Sequence, residues 1–253
     1  MKHILGIFAH PIDGPMACGG TIAKYAKQGA TVDLICATGK EDQRKALEAA
    51  ATTLGCASLT FLEYKEGTLP SRTPGELEDI IFRKMVDLTP DTFLTYEPSG
   101  IDNDPDHIKL TTATTYAFQK YAAYAEEVIA KGISPMNRPR HPRDKWQIPF
   151  AEAVANDEEP KLYYACMPES LSSYLLKEKL IPAESFNKPW EGTPDKIITT
   201  VIDIKQVKKA KEEALMHMGD PENFFATQEF FYLRMQGISE VMMGKNDRVS
   251  NRL

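Results

Sequence analysis

Two histidines and one aspartate are spaced to do chemistry together. His10 stands in Ala9-His10-Pro11-Ile12-Asp13, three residues before Asp13, and His107 closes Asn103-Asp104-Pro105-Asp106-His107. Two imidazoles and a carboxylate that meet at one point make a three-ligand site for a divalent metal. Three protein ligands leave one coordination position open, as a catalytic zinc requires. Nitrogen donors mixed with oxygen suit zinc better than magnesium or calcium, with other divalent metals still open. The plainer alternative is a pair of hydrogen-bonded structural histidines, and spacing does not choose between the two.

Whether these residues meet depends on the elements that carry them. Ile4–Ala9, Thr31–Ala37, Ser58–Leu62 and Asp91–Tyr96 are short apolar runs that read as strands. Met16–Gln28, Glu41–Leu54 and Gly75–Leu88 carry apolar residues at helical spacing between them. A long helix follows at about Asp106–Lys131. Strand and helix in alternation imply right-handed crossovers and a parallel sheet covered by helices. The expected fold is therefore α/β, a Rossmann-like, mostly parallel sheet flanked by helices, in a single domain over residues 1–253. In such sheets ligands bind beyond the carboxyl ends of the strands. Both polar loops, residues 10–15 and 98–107, follow strands directly and open on that one edge.

Further along, Lys161–Cys166 and Lys196–Ile202 read as strands and Lys205–Met218 as an amphipathic helix. Residues 132–149, with four prolines and a basic cluster around Trp146, read as a connecting loop or a lid over the site. Phe224–Tyr232 is an aromatic run suited to core or to a subunit contact, which keeps a homo-oligomer open. Gly19-Gly20 suits close helix packing better than phosphate binding, since no complete glycine-rich nucleotide fingerprint accompanies it. His3 reads as structural, and His141 as part of the basic loop.

Composition narrows the function classes. The 253 residues carry 30 Lys and Arg against 36 Asp and Glu, a net charge of −6. That balance counts against a nucleic-acid binder, whose affinity comes largely from neutralising phosphates, and against a polybasic membrane patch. No run approaches the roughly 20 apolar residues of a spanning helix. The opening MKHILGIFAHP is too short in its apolar stretch for a signal-peptide core, so a cytoplasmic protein is expected. The four cysteines, Cys18, Cys36, Cys56 and Cys166, form no CxxC pair and read as reduced thiols.

The two motifs, with PMACGGTIAKYAKQGATVDLICAT, the LEAAATTLG helix and LYYACMPES, resemble the PIG-L/LmbE family of zinc-dependent N-deacetylases. The family pattern is A-H-P-D-D-E after the first strand and H-P-D-H after the fourth. The resemblance implies an LmbE-like fold, a zinc ion held by His10, Asp13 and His107, and a small N-acylated amino sugar or related amide as substrate. It implies that zinc polarises the amide carbonyl while a carboxylate takes the proton of the attacking water.

The departures from that pattern bear on activity. Ile12 occupies the position of the family's general-base aspartate, and Gly14 that of the closing glutamate. Asp104 stands where the family has the histidine beside the developing oxyanion. Asp106 remains without the histidine it would orient, and the family's Arg-Gly-Glu segment is reduced to Thr38-Gly39-Lys40-Glu41. Asp104 and Asp106 are the remaining candidates for catalytic carboxylates. Asp104 would approach the metal from the side opposite residue 12, or would become a fourth ligand and close the site. His217 lies near a family histidine but in a broken pattern, which leaves an ordinary helix-end residue as the plainer reading. These changes imply impaired hydrolysis, or a ligand-binding variant that hydrolyses nothing.

Overall fold

Both faces of a central parallel strand are covered by helices, so such strands are apolar along their whole length. The computed structural model describes residues 2–130, 160–219, 230–235 and 250–253. Within them β1 (His3–Phe8) is buried from Ile4 onward, β2 (Thr31–Thr38) from Val32 onward, and β4 (Thr92–Tyr96) throughout. β3 (Ser58–Tyr64) is only half-buried because it forms an edge of the sheet. Between them run α1 (Asp13–Lys27), α2 (Glu41–Leu54), α3 (Glu76–Leu88) and α4 (Pro105–Ala130). β5 (Lys161–Cys166) joins β4 in parallel. The order β3-β2-β1-β4-β5 makes five parallel strands in a row.

At its far end the mostly parallel sheet turns antiparallel. β9 (Phe230–Arg234) pairs antiparallel with β5 and places β8 (Thr200–Ile202) at the other edge. Part of the aromatic run is therefore a strand, with Tyr232 in the core and its hydroxyl on Thr21 Oγ1 at 2.7 Å. The strand expected from Lys196 starts only at Thr200, because Asp195–Ile197 close a 3₁₀ turn. α5 (Glu169–Lys177) and the small hairpin of β6 (Glu184–Ser185) and β7 (Lys188–Pro189) fill the stretch after β5. α6 (Lys208–His217) begins later than its pattern suggests, since the Asp203 carboxylate accepts the Lys205 N–H and holds a turn there.

α1 starts at Asp13, three residues earlier than the sequence pattern suggested. Pro15 conceals this start. A proline disrupts a helix interior but is tolerated in the first turn, where its missing N–H would have no helical partner. The start matters because it makes Asp13 the first residue of the helix that follows β1. Gly20 lets α1 approach the segment after β8: a Cβ there would lie 2.6 Å from Ile204. Residues 132–149, with His141 and Trp146, and residues 224–229 lie outside the described residues.

Candidate metal centre

The strand order reverses between β1 and β4, which lie side by side at the centre of the sheet. Brought to that switch point are His10 after β1 with Asp13 at the start of α1, and Asp104 after β4 with Asp106 and His107 in the first turn of α4. The crevice beyond the carboxyl ends of two such strands is where α/β folds bind ligands. The His10 and His107 rings stand 5.1 Å apart, centroid to centroid. One donor atom each from His10, Asp104 and His107 falls within 4.8 Å of the others.

Hydrogen bonds set which nitrogen of each imidazole is available. Thr38 donates its only hydroxyl proton to the Ala9 carbonyl at 2.8 Å, and its Oγ1 lies 2.8 Å from His10 Nδ1. His10 Nδ1–H must then be the donor to Thr38, which leaves the Nε2 lone pair facing the crevice. His107 Nδ1 lies 2.9 Å from the Gly100 carbonyl and 3.0 Å from Asp102 Oδ1, both acceptors. Its proton is therefore on Nδ1, and Nε2 is buried without a hydrogen-bond partner among the described residues. Carboxylate or carbonyl partners of this kind orient the histidines of metal sites. Two ring nitrogens presented to the crevice, one of them buried without a hydrogen bond, fit a divalent ion.

Asp13 lies against His107, beside the donor set of His10, Asp104 and His107. Its Oδ2 accepts the His10 backbone N–H at 2.6 Å and the Tyr96 hydroxyl proton, and lies 3.3 Å from His107 Nε2. Tyr96 in turn accepts the Ala9 N–H at 2.8 Å. Burial disfavours the charged imidazolium of His107, but Asp102 and Asp13 outweigh it and raise the group to about 11. His10 is likewise raised against its burial, by Asp104 and Asp13. Burial would raise Asp13 and Asp104, yet the histidines beside them hold both carboxyls below the usual range. Protons held by these imidazoles compete with an ion, which must displace them to bind.

The other two acids divide differently than their sequence proximity suggests. Asp104 Oδ1 caps α4 by accepting the Asp106 N–H at 2.7 Å, while Oδ2 lies 3.4 Å from His10 Nε2. Asp106 is buried and accepts the backbone N–H groups of Gly67 at 2.6 Å and Leu69 at 3.0 Å. It ties the loop after β3 to α4, and its Oδ2 is 3.9 Å from His10 Nε2. Ile12 sits half-buried just ahead of α1. His3 bonds Asp33 at 2.5 Å near the start of β1, and His217 is exposed at the end of α6.

Several working residues escape a motif reading. Glu97 accepts the N–H groups of Ser99 at 2.9 Å and Ile101 at 2.8 Å, which folds the loop that presents the Gly100 carbonyl. That loop holds Gly100, Ile101 and Asn103 at φ of 76°, 70° and 65°. A β-branched residue in the left-handed region is an outlier that costs about 1–3 kcal/mol and is commonest at functional sites. Thr38, Tyr96, Glu97 and Asp102 all lie at or just beyond strand ends. That shared sheet edge is the sequence signal that could have found them.

Fold and cluster together define a doubly wound α/β protein with a metal-type donor group at its switch point. Residues 5–118, which span the whole cluster, match the model of a family described as PIG-L, GlcNAc-PI de-N-acetylase. Over that stretch the chain is similar to the PIG-L/LmbE family, as its motifs implied. It is 28% identical over 257 residues to the 1D-myo-inositol 2-acetamido-2-deoxy-alpha-D-glucopyranoside deacetylase of Rhodococcus jostii (strain RHA1), covering 85% of this chain and 80% of that one. Two solved structures share the fold at low identity. N,N'-diacetylchitobiose deacetylase from Pyrococcus horikoshii gives a TM-score of 0.57 at 16% identity, over 92% of this chain and 84% of that one. GalB, the 4-carboxy-2-hydroxymuconate hydratase from Pseudomonas putida KT2440, gives 0.60 at 17%, over 94% and 97%.

Proposed function

We propose that this chain is a slow zinc-dependent amidohydrolase acting on a small N-acylated amino sugar. The observation that carries the reading is the buried Nε2 of His107, which makes no hydrogen bond among the described residues and stands 3.3 Å from the Asp13 carboxylate, with the His10 ring alongside. Those three residues would hold the ion. Bound zinc polarises a carbonyl and lowers the pKa of its water to about 7. The chain supplies the orientation: Thr38 turns His10, Gly100 and Asp102 turn His107, and Tyr96 steadies Asp13. The substrate class follows the similar proteins, whose names specify a 2-acetamido sugar and diacetylchitobiose. The hydratase on the same fold is a reminder that chemistry comes from the site and not from the scaffold.

Slowness follows from the residues present. Ile12 has no group to take a proton, and general-base assistance contributes about 10²–10⁴-fold. Loss of an oxyanion-stabilising group costs roughly 10²–10³ more, without strict additivity. The same reading makes residues 1–253 one domain and places it in the cytoplasm, consistent with four free thiols. Among the described residues no helix is long and apolar enough to cross a membrane.

Replacing Ile12→Asp together with Asp104→His tests the proposal, with amine release from an N-acetylglucosaminyl glycoside as the readout. An increase of about 10²–10⁴-fold is expected from the restored base. No gain, with zinc bound, would instead make the chain a binding protein on this scaffold.

A further inference from the structure

We infer that Asp104 is itself a metal ligand, so that the centre has two histidines and two carboxylates. The inference rests on the metal reading of the cluster given above and goes beyond the three ligands that the family pattern supplies.

The first ground is aim. Asp104 precedes Pro105 at the start of α4, and its carbonyl accepts the Ile108 N–H at 3.0 Å, the first helical bond. Its Oδ1 is committed to the Asp106 N–H at 2.7 Å. With one oxygen fixed as a helix cap, the other is held toward the crevice, 3.4 Å from His10 Nε2. Asp102 Oδ1 accepts both the Asp104 N–H at 3.1 Å and the His107 Nδ1–H at 3.0 Å. One carboxylate oxygen therefore positions Asp104 and His107 together.

The second ground is length. A charge-assisted bond between an imidazole nitrogen and a carboxylate closes to about 2.7–2.9 Å. The pairs His10–Asp104 and His107–Asp13 stop at 3.4 and 3.3 Å. Ligand bonds of about 2.0–2.1 Å in a tetrahedron put neighbouring donors about 3.3–3.4 Å apart. Both pairs stand at the spacing of co-ligands.

The third ground is chemical consistency. A second carboxylate neutralises a divalent ion and occupies the position that a reacting water uses in a three-ligand site. A centre that no longer presents a free water has no use for a proton acceptor at residue 12, where an isoleucine stands. Turnover then requires a fifth ligand or release of Asp104, which accords with a slow enzyme.

Asp104→Asn isolates the ligand role, because asparagine caps a helix as well as aspartate does. Asp104→Ser caps too and provides a second variant should the first fold poorly. The full chain is titrated with zinc alone against a chromophoric chelator, and the visible spectrum of its cobalt(II) form is recorded. Removing an outer-shell partner alone costs about 10–100-fold in affinity, so affinity does not separate the two roles. Coordination number does. A ligand role predicts weaker zinc binding and a cobalt(II) ligand-field spectrum that changes in position and intensity in both variants. A cobalt(II) spectrum unchanged by either substitution overturns the inference and leaves the proposed function standing. Failure of the unaltered chain to take up zinc or cobalt overturns the metal reading itself.

Discussion

The Tyr96 ring stacks on the His107 imidazole, with centroids 4.2 Å apart and planes 12° apart, while its hydroxyl reaches across to Asp13. One buried side chain at the end of β4 thus joins His107, in the first turn of α4, to Asp13, the first residue of α1. Phe8 packs edge-on against the same ring at 5.5 Å, so the last residue of β1 supports it from the adjacent strand.

Tyr96→Phe keeps the stack and removes only the hydroxyl. The buried Ala9 N–H then loses its acceptor, and Asp13 loses one of two donors. A buried donor left unpaired costs about 1–3 kcal/mol. Urea unfolding of the variant should show a loss of that size, and an unchanged midpoint would show that the hydroxyl is dispensable.

Thr38→Val is nearly isosteric and takes away the acceptor that holds the His10 Nδ1 proton. Without it the ring is free to turn or to place its proton on Nε2. Zinc affinity should fall by about 10–100-fold, the usual consequence of losing such a partner. Chelator competition measures this, and equal affinity would mean that something else orients His10.

The protons on the imidazoles give the chelated protein a definite response to pH. The folded-state value of His107 is raised from 6.5 to about 11. Its contribution to stability is fully present below the unfolded value and is lost as pH rises through the folded one. Asp13 is shifted downward from 3.8, so its share is present above that value and is lost as pH falls through its folded one. Urea unfolding with chelator present should therefore show stability declining from about pH 6.5 toward pH 11, with the decline reduced in His107→Gln. Zinc binding should respond in the opposite sense, strengthening as pH rises because the ion displaces those protons.

Gly20→Ala separates helix propensity from packing. Alanine favours a helix interior over glycine by about 1 kcal/mol. The new Cβ would, however, meet Ile204 side-chain atoms at 2.6 Å. Overpacking of that kind costs about 1–3 kcal/mol, so a net loss of stability is expected. In an Ile204→Ala background the same change should become neutral or stabilising. A loss of equal size in both backgrounds would place the strain elsewhere.

Chain-local signals account for much of this molecule. Apolar runs separated by amphipathic stretches are enough to read β1 to β4 and the helices between them, because a strand buried on both faces has no polar alternation to confuse with a helix. The same alternation places His10, Asp13, Asp104, Asp106 and His107 on one sheet edge, since each parallel strand must end there. α2 and β5 match their expected limits to the residue, bounded by Gly55 in one case and by burial that begins at Leu162 in the other.

What the chain order alone left open is pairing across distance and the direction of individual side chains. β9 meets β5 about 70 residues away in sequence, an antiparallel pairing that buries Tyr232 with its hydroxyl on Thr21 of α1. Asp104 and Asp106 are two residues apart and identical in type. One caps α4 and faces His10, while the other is consumed by the N–H groups of Gly67 and Leu69. Residue types and spacing determined that two imidazoles and several acids would share an edge of the sheet. Tertiary structure decided which lone pairs remain unspent, because hydrogen bonds from distant backbone claim some donors and leave others facing the crevice.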